Sequence, residues 1–226
     1  MGDRTGSGRH AAIMRLLQAW IAFEEQRFED ALRLSLAERE QADAQNWTNA
    51  QQMSLLFGGA AALALGRIAE AADDLERLRD WYAHERVLMD WFWESQLHTH
   101  LAELSLRRGD LERATLEATA ARETSFATPE RTWRARALVM SALVAIERSA
   151  FDEASQSLRH ARREVRGISA PLVAWRIEAV TATLLEKTAQ PDSARRARQK
   201  YERALERLRP QVPLETSSGL NPRQTH

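Results

Sequence analysis

No cysteine occurs in the 226 residues, which excludes disulfides, thiol nucleophiles and thiolate metal sites and fits a reducing, cytoplasmic setting. Net charge is also lacking. Thirty-two basic residues balance thirty-two acidic ones, so no overall field draws the chain to nucleic acid, to an anionic membrane or to an acidic substrate. A modest gradient underlies the balance, since residues 1 to 150 carry 18 Lys and Arg against 23 Asp and Glu and the rest carry 14 against 9. No stretch approaches the roughly 18 uncharged apolar residues of a membrane span, and the opening MGDRTGSGRH has no signal-peptide core. Proline and glycine number only six and nine, with four of the prolines at 191, 210, 213 and 222, so long stretches run without a helix breaker.

What fills those stretches is alanine, leucine, glutamate and arginine, all good helix formers, with no β-branched run of strand length. The expected class is all-α. The 44% of hydrophobic residues is enough to build a core. Five segments look alike. Leu111, Ala114, Ala118 and Ala121 follow the turn Arg108-Gly109-Asp110 at helical spacing, and Phe151, Ala154, Leu158 and Ala161 repeat the offsets. The frame also catches Phe28 and Ala31, then Ile68, Ala71 and Leu75, and finally Ala194, Ala197, Tyr201 and Ala204. Its small anchors, Ala31, Ala71, Ala114, Ala154 and Ala197, are 40, 43, 40 and 43 residues apart. One helix pair fits each interval, with upstream helices over 55–65, 97–106, 138–146 and 173–185. Gly59, Ala102, Ala142 and Ala179 fall where paired helices would touch, and a small side chain there lets the axes approach.

These positions resemble the tetratricopeptide repeat family. Its motif places a large then a small apolar residue in the first helix, and an aromatic or leucine, an alanine, a large residue and an alanine in the second. Leu101, Ala102, Leu111, Ala114 and Ala121 fit it, as do Ala142, Phe151, Ala154, Leu158 and Ala161. The first repeat departs, with Ser35 and Glu38 where a bulky and a small residue belong, and the fifth is expected to carry a longer turn, 187–193. The 40 to 43 residue period exceeds the family's usual 34 and is similar to the long-repeat arrays of bacterial signal-transduction ATPases, nucleotide cyclases and large transcription activators. The resemblance covers residues 11–208 and implies a right-handed superhelical solenoid of about five antiparallel helix pairs. Residues 1–10 and 209–226 read as disordered flanks. The resemblance further implies a non-enzymatic, cofactor-free scaffold in signal transduction, with another protein or a peptide segment as partner. Nucleic acid and membrane are not expected, and homo-oligomerisation stays open.

In the family the first helix of each pair lines the concave surface. Carried onto this chain, that implies Leu56, Phe57 and Leu63 in the second repeat and Gln96, His100, Glu103 and Arg107 in the third. In the fourth it implies Arg136, Val139, Met140, Leu143 and Glu147. If exposed, these form an apolar groove for a peptide; if the longer helices rotate the register, they form core. An alternative is a small-ligand sensor, with an apolar pocket inside a tightly curled array.

Catalytic motifs are absent: there is no HExxH, GxxxxGK followed by Ser or Thr, GxGxxG or GxSxG. Asp90, Glu94 and His98 are spaced by four on one helix face, where carboxylates and imidazole could hold a metal, but a polar face is the preferred reading and no metal is expected. Trp81, Trp91 and Trp93 fall within thirteen residues of a chain with seven tryptophans, either packed between repeats or exposed as binding anchors. Asp80, Asp90 or Glu94 would accept a buried indole N–H. The arginine-rich stretches 159–166 and 195–209 are interrupted by glutamates and lack aromatic platforms, so they read as solvated faces.

Overall fold

The computed structural model describes the backbone of residues 4–85 and 90–208 and the side chains of 8–85 and 92–208. Ten α-helices and no strand occur among them. In order these are α1 (Arg4–Glu24), α2 (Phe28–Gln45), α3 (Thr48–Ala64), α4 (Ile68–His84) and α5 (Asp90–Arg107), then α6 (Leu111–Phe126), α7 (Arg131–Glu147), α8 (Phe151–Glu164), α9 (Pro171–Lys187) and α10 (Pro191–Glu206). Helix α1 thus begins inside the opening ten residues, while the tail 209–226 lies outside the described residues.

Each helix packs on the next in the chain, and one turn recurs five times. Residues 25–27, 65–67, 108–110, 148–150 and 188–190 each join two helices through three residues. The middle residue is left-handed in every case, with φ of 62° at Gln26, 77° at Gly66, 76° at Gly109, 60° at Ser149 and 55° at Ala189. The third residue then donates its N–H to a carbonyl five positions back, as Arg27 to Ala22 at 2.9 Å and Gln190 to Leu185 at 2.8 Å. That bond satisfies a carbonyl orphaned at the helix end.

This turn corrects the fifth segment. Its link is no longer than the others, because Pro191 is the first residue of α10, a position whose missing N–H has no intrahelical role. The helices that follow the five turns start at 28, 68, 111, 151 and 191, so the last interval is 40 rather than 43. Ala194 is therefore the counterpart of Ala154, both buried.

Odd-numbered helices also pack on one another, α1 on α3, α3 on α5, α5 on α7 and α7 on α9, whereas even-numbered ones pack closely on their chain neighbours and α2 reaches α4 only through the long side-chain pair Arg39–Asp74. The result is an inner and an outer row. Sequence follows placement: 13 of the 17 residues of α3 are buried, but only Ala154, Leu158 and Ala161 in α8 and Ala194 and Ala197 in α10. Close approach depends on the small residues. A Cβ on Gly59 would lie 2.8 Å from Leu75 Cγ on α4, and Ala102 and Ala142 are fully buried.

The two departures in the first segment also have physical reasons. Ser35, fully buried, donates its hydroxyl to the Ala31 carbonyl at 2.8 Å. Glu38, also buried, holds Arg15 of α1 through both carboxylate oxygens. A polar pair thus joins α1 to α2 where apolar contact was expected.

Candidate functional site

The inner row bends far enough for its first helix to meet its last. Trp20 of α1 packs edge-on against Trp93 of α5, ring centroids 6.0 Å apart, and lies 6.3 Å from Trp133 of α7. One turn later Glu24 accepts from Arg136 Nη1 of α7 and from Arg176 Nη1 of α9, both at 2.7 Å. Trp20 Nε1 donates to the same carboxylate at 3.1 Å. Residues 112 and 152 positions apart thus share one buried ionic centre.

A cavity of about 230 Å³ adjoins that centre. Phe23 of α1, Phe28 of α2 and Ala64 of α3 form one side, and α5 supplies Thr99, His100 and Glu103. From α7 come Arg136, Val139, Met140 and Leu143, and from α9 come Trp175, Arg176, Ala179 and Val180. The walls are chiefly apolar, with charge concentrated at one end.

Electrostatics at that end follow from burial and from two cations sharing an anion. Burial alone would raise the Glu24 carboxyl, but Arg136 and Arg176 overcome it and hold it down at about 2. Arg176, 15% of whose side-chain surface is exposed, is lowered to about 10 by burial and by Arg136, with Glu24 and Glu103 opposing. His100 falls to about 3, first from burial and then from the two guanidinium charges, so the imidazole is neutral. Its ring meets Phe23 edge-on at 5.5 Å, and neither nitrogen has a hydrogen-bond partner among the described residues.

Both arginines keep bonding capacity. Arg136 uses only Nη1, on Glu24, and lies 5.0 Å over the Trp133 ring. Arg176 also uses only Nη1, shared between Glu24 and the Leu172 carbonyl, and lies 4.2 Å over Trp175. The indole Nε1 of Trp175 is buried with no partner.

Of the twelve residues implied as a concave surface, this cavity brings together His100, Glu103, Arg136, Val139, Met140 and Leu143. Leu56, Phe57 and Leu63 are buried in the core of α3, and Gln96 is buried with its amide nitrogen unpaired. Arg107 and Glu147 are exposed at helix ends. Trp81 and Trp93 have different partners. Trp81 donates to Glu85 at 2.9 Å, an acceptor other than the three expected, Trp93 packs on Phe57 and Trp20, and Trp91 lies outside the described side chains.

His98 bonds Glu117 of α6 at 2.7 Å, and Glu117 also pairs with Arg113 at 2.6 Å. The Asp90 side chain lies outside the described residues, among which no metal-binding cluster occurs. In the arginine-rich stretches, Arg162 bonds Glu178 and Thr181, and Arg198 bonds Glu186, tying α8 and α10 to α9.

Sequence reasoning missed Glu24, Trp175 and Arg176. The available signal was the lone charge of Arg176 inside the apolar run Val173 to Ile177, since an unpaired buried charge is too costly to stand alone, whereas Glu24 is followed by Glu25 and carries no such mark. Compared with known proteins, the chain matches no family model, no curated protein and no solved structure.

Proposed function

We propose that this chain is a non-enzymatic binding module, a tetratricopeptide-like array of five helix pairs curled tightly enough to enclose a pocket for a small ligand. The observation that carries the reading is the cavity beside Glu24, Arg136 and Arg176, lined from six helices of which α1, α5, α7 and α9 lie far apart in sequence. A ligand there touches α1, α5, α7 and α9 as well as the ends of α2 and α3, so occupancy tightens the whole curl and can be read by a protein partner elsewhere on the array. At about 230 Å³ the space is smaller than a typical drug pocket, which points to a compact ligand.

A peptide laid along the inner row is the competing occupant. Burial of Leu56, Phe57 and Leu63 leaves it little apolar wall on α3. Support for a non-catalytic role comes from His98, which is engaged by Glu117 on the opposite side of α5 from the cavity-lining His100.

The test is thermal unfolding of the full chain with a panel of compact metabolites, against a Leu143→Trp variant that fills the cavity. A true ligand at a hundredfold excess over Kd adds about 2.7 kcal/mol, several degrees in Tm. We expect that shift in the parent and not in Leu143→Trp. Equal shifts in both chains, or none in the parent, contradict the reading.

A further inference from the structure

Charge in the cavity wall is unevenly matched. Glu24 is fully committed within the protein, one oxygen to Trp20 and Arg136 and the other to Arg176. The second wall carboxylate, Glu103, pairs outward with Arg107 at 3.5 Å. Arg136 and Arg176 therefore share a single carboxylate, and Nε and Nη2 of each are unengaged among the described residues. A guanidinium presents these nitrogens as a planar fork that fits two carboxylate oxygens. The remaining wall polar groups are a neutral imidazole and the Thr99 hydroxyl, which already donates to the Ser95 carbonyl.

We infer that the cavity takes a small amphipathic monoanion, a free carboxylic acid whose head lies on Arg136 and Arg176 and whose hydrocarbon body packs on Val139, Met140, Leu143 and Val180. The inference rests on the pocket reading above and deepens it by naming the ligand class. Adding one carboxylate gives each buried guanidinium its own anion, which a neutral ligand of the same shape cannot do. Glu103 on the same wall sets the opposite limit, because it repels a second negative charge and so disfavours dianions such as phosphate monoesters. Size adds a preference: the 230 Å³ of the partly open cavity is the volume of about eight waters, enough to hold the body of an acid of roughly six to nine carbons.

The experiment is calorimetric titration of the full chain with hexanoate and 3-phenylpropionate, each beside its amide, and with an N-acetylated dipeptide bearing a free C-terminus. We expect at least one acid to bind about tenfold or more tighter than its amide, a difference of about 1.4 kcal/mol. Arg176→Gln abolishes that preference, and Leu143→Trp abolishes binding with the ionic centre intact. Helicity by circular dichroism confirms that both variants fold; should Arg176→Gln unfold, the acid-to-amide ratio in the parent and Leu143→Trp decide alone. Equal binding of acid and amide overturns the carboxylate inference but leaves the pocket reading standing. Failure of every acid and every amide overturns both. Tighter binding of the dipeptide than of either free acid overturns the small-acid assignment in favour of a peptide terminus.

Discussion

Two arginine–carboxylate centres, one partly buried and one buried, tie helices together, and they are built for different purposes. Arg39 of α2 reaches Asp74 of α4 through two bonds, 2.7 and 2.5 Å, and the Ser54 carbonyl of α3 at 3.2 Å. Gly58 lies beneath it, where a Cβ would come within 2.8 Å of the guanidinium. One cation meets one anion in a fork, and only Arg39 Nε lacks a partner. Around Glu24 two cations share one anion, each through a single nitrogen, beside an apolar cavity. The first arrangement is closed and joins neighbouring helices. The second joins the two ends of the inner row and keeps donors in reserve, as a binding site requires and a purely structural bridge does not.

Glu24→Gln breaks the second centre most severely. It leaves two buried guanidinium groups facing each other without a counter-charge, at a cost of about 3–5 kcal/mol, measurable by urea unfolding. Asp74→Asn removes the anion of a more exposed pair and is expected to cost less. A reversed order would undo the distinction between the centres.

Acid separates them next. The His100 value is depressed from 6.5 to about 3, so the unfolded chain takes up a proton that the folded chain refuses, and stability falls as pH drops through that window. The slope is about 1.4 kcal/mol per pH unit, or about 2 kcal/mol between pH 6.5 and 5. Glu24, depressed from 4.5 to about 2, contributes stability that is full above 4.5 and is lost on further acidification towards 2. His100→Gln should abolish the loss between pH 6.5 and 5, read as Tm against pH; an unchanged profile would mean that His100 is not buried beside Arg136 and Arg176.

How much of this was legible in the sequence depends on the range of the interaction. The anchors Ala31, Ala71, Ala114 and Ala154 are visible because helix packing repeats locally, and Gly59 marks the closest approach. The link between α9 and α10 misled, because Gln190-Pro191-Asp192 reads as a loop although Pro191 opens the helix. The Glu24 centre was not legible. Its partners are 112 and 152 residues away, and no local period reports a closure that depends on the accumulated angle between successive helices.

Packing and turn geometry supply smaller effects. Gly59→Ala drives a methyl into Leu75 Cγ and costs about 1–2 kcal/mol net of its helix-propensity gain, whereas at Gly58 the obstacle is the movable end of Arg39, so Gly58→Ala costs less. Comparing the two midpoints in urea tests that order. Ala189 holds a φ of 55° in a turn whose counterparts at 66 and 109 are glycine. Ala189→Gly should therefore stabilise by about 0.5–1 kcal/mol, seen as a raised Tm; a lowered Tm would mean that this turn is not left-handed.

The claim on which the rest depends is that α1 closes on α9 through Glu24 and Arg176. A double-mutant cycle with Glu24→Gln, Arg176→Gln and the pair measures that contact directly. A charged hydrogen bond in a buried setting predicts a coupling of about 1.5–3 kcal/mol. Additive single-mutant effects would contradict the closure and, with it, the pocket.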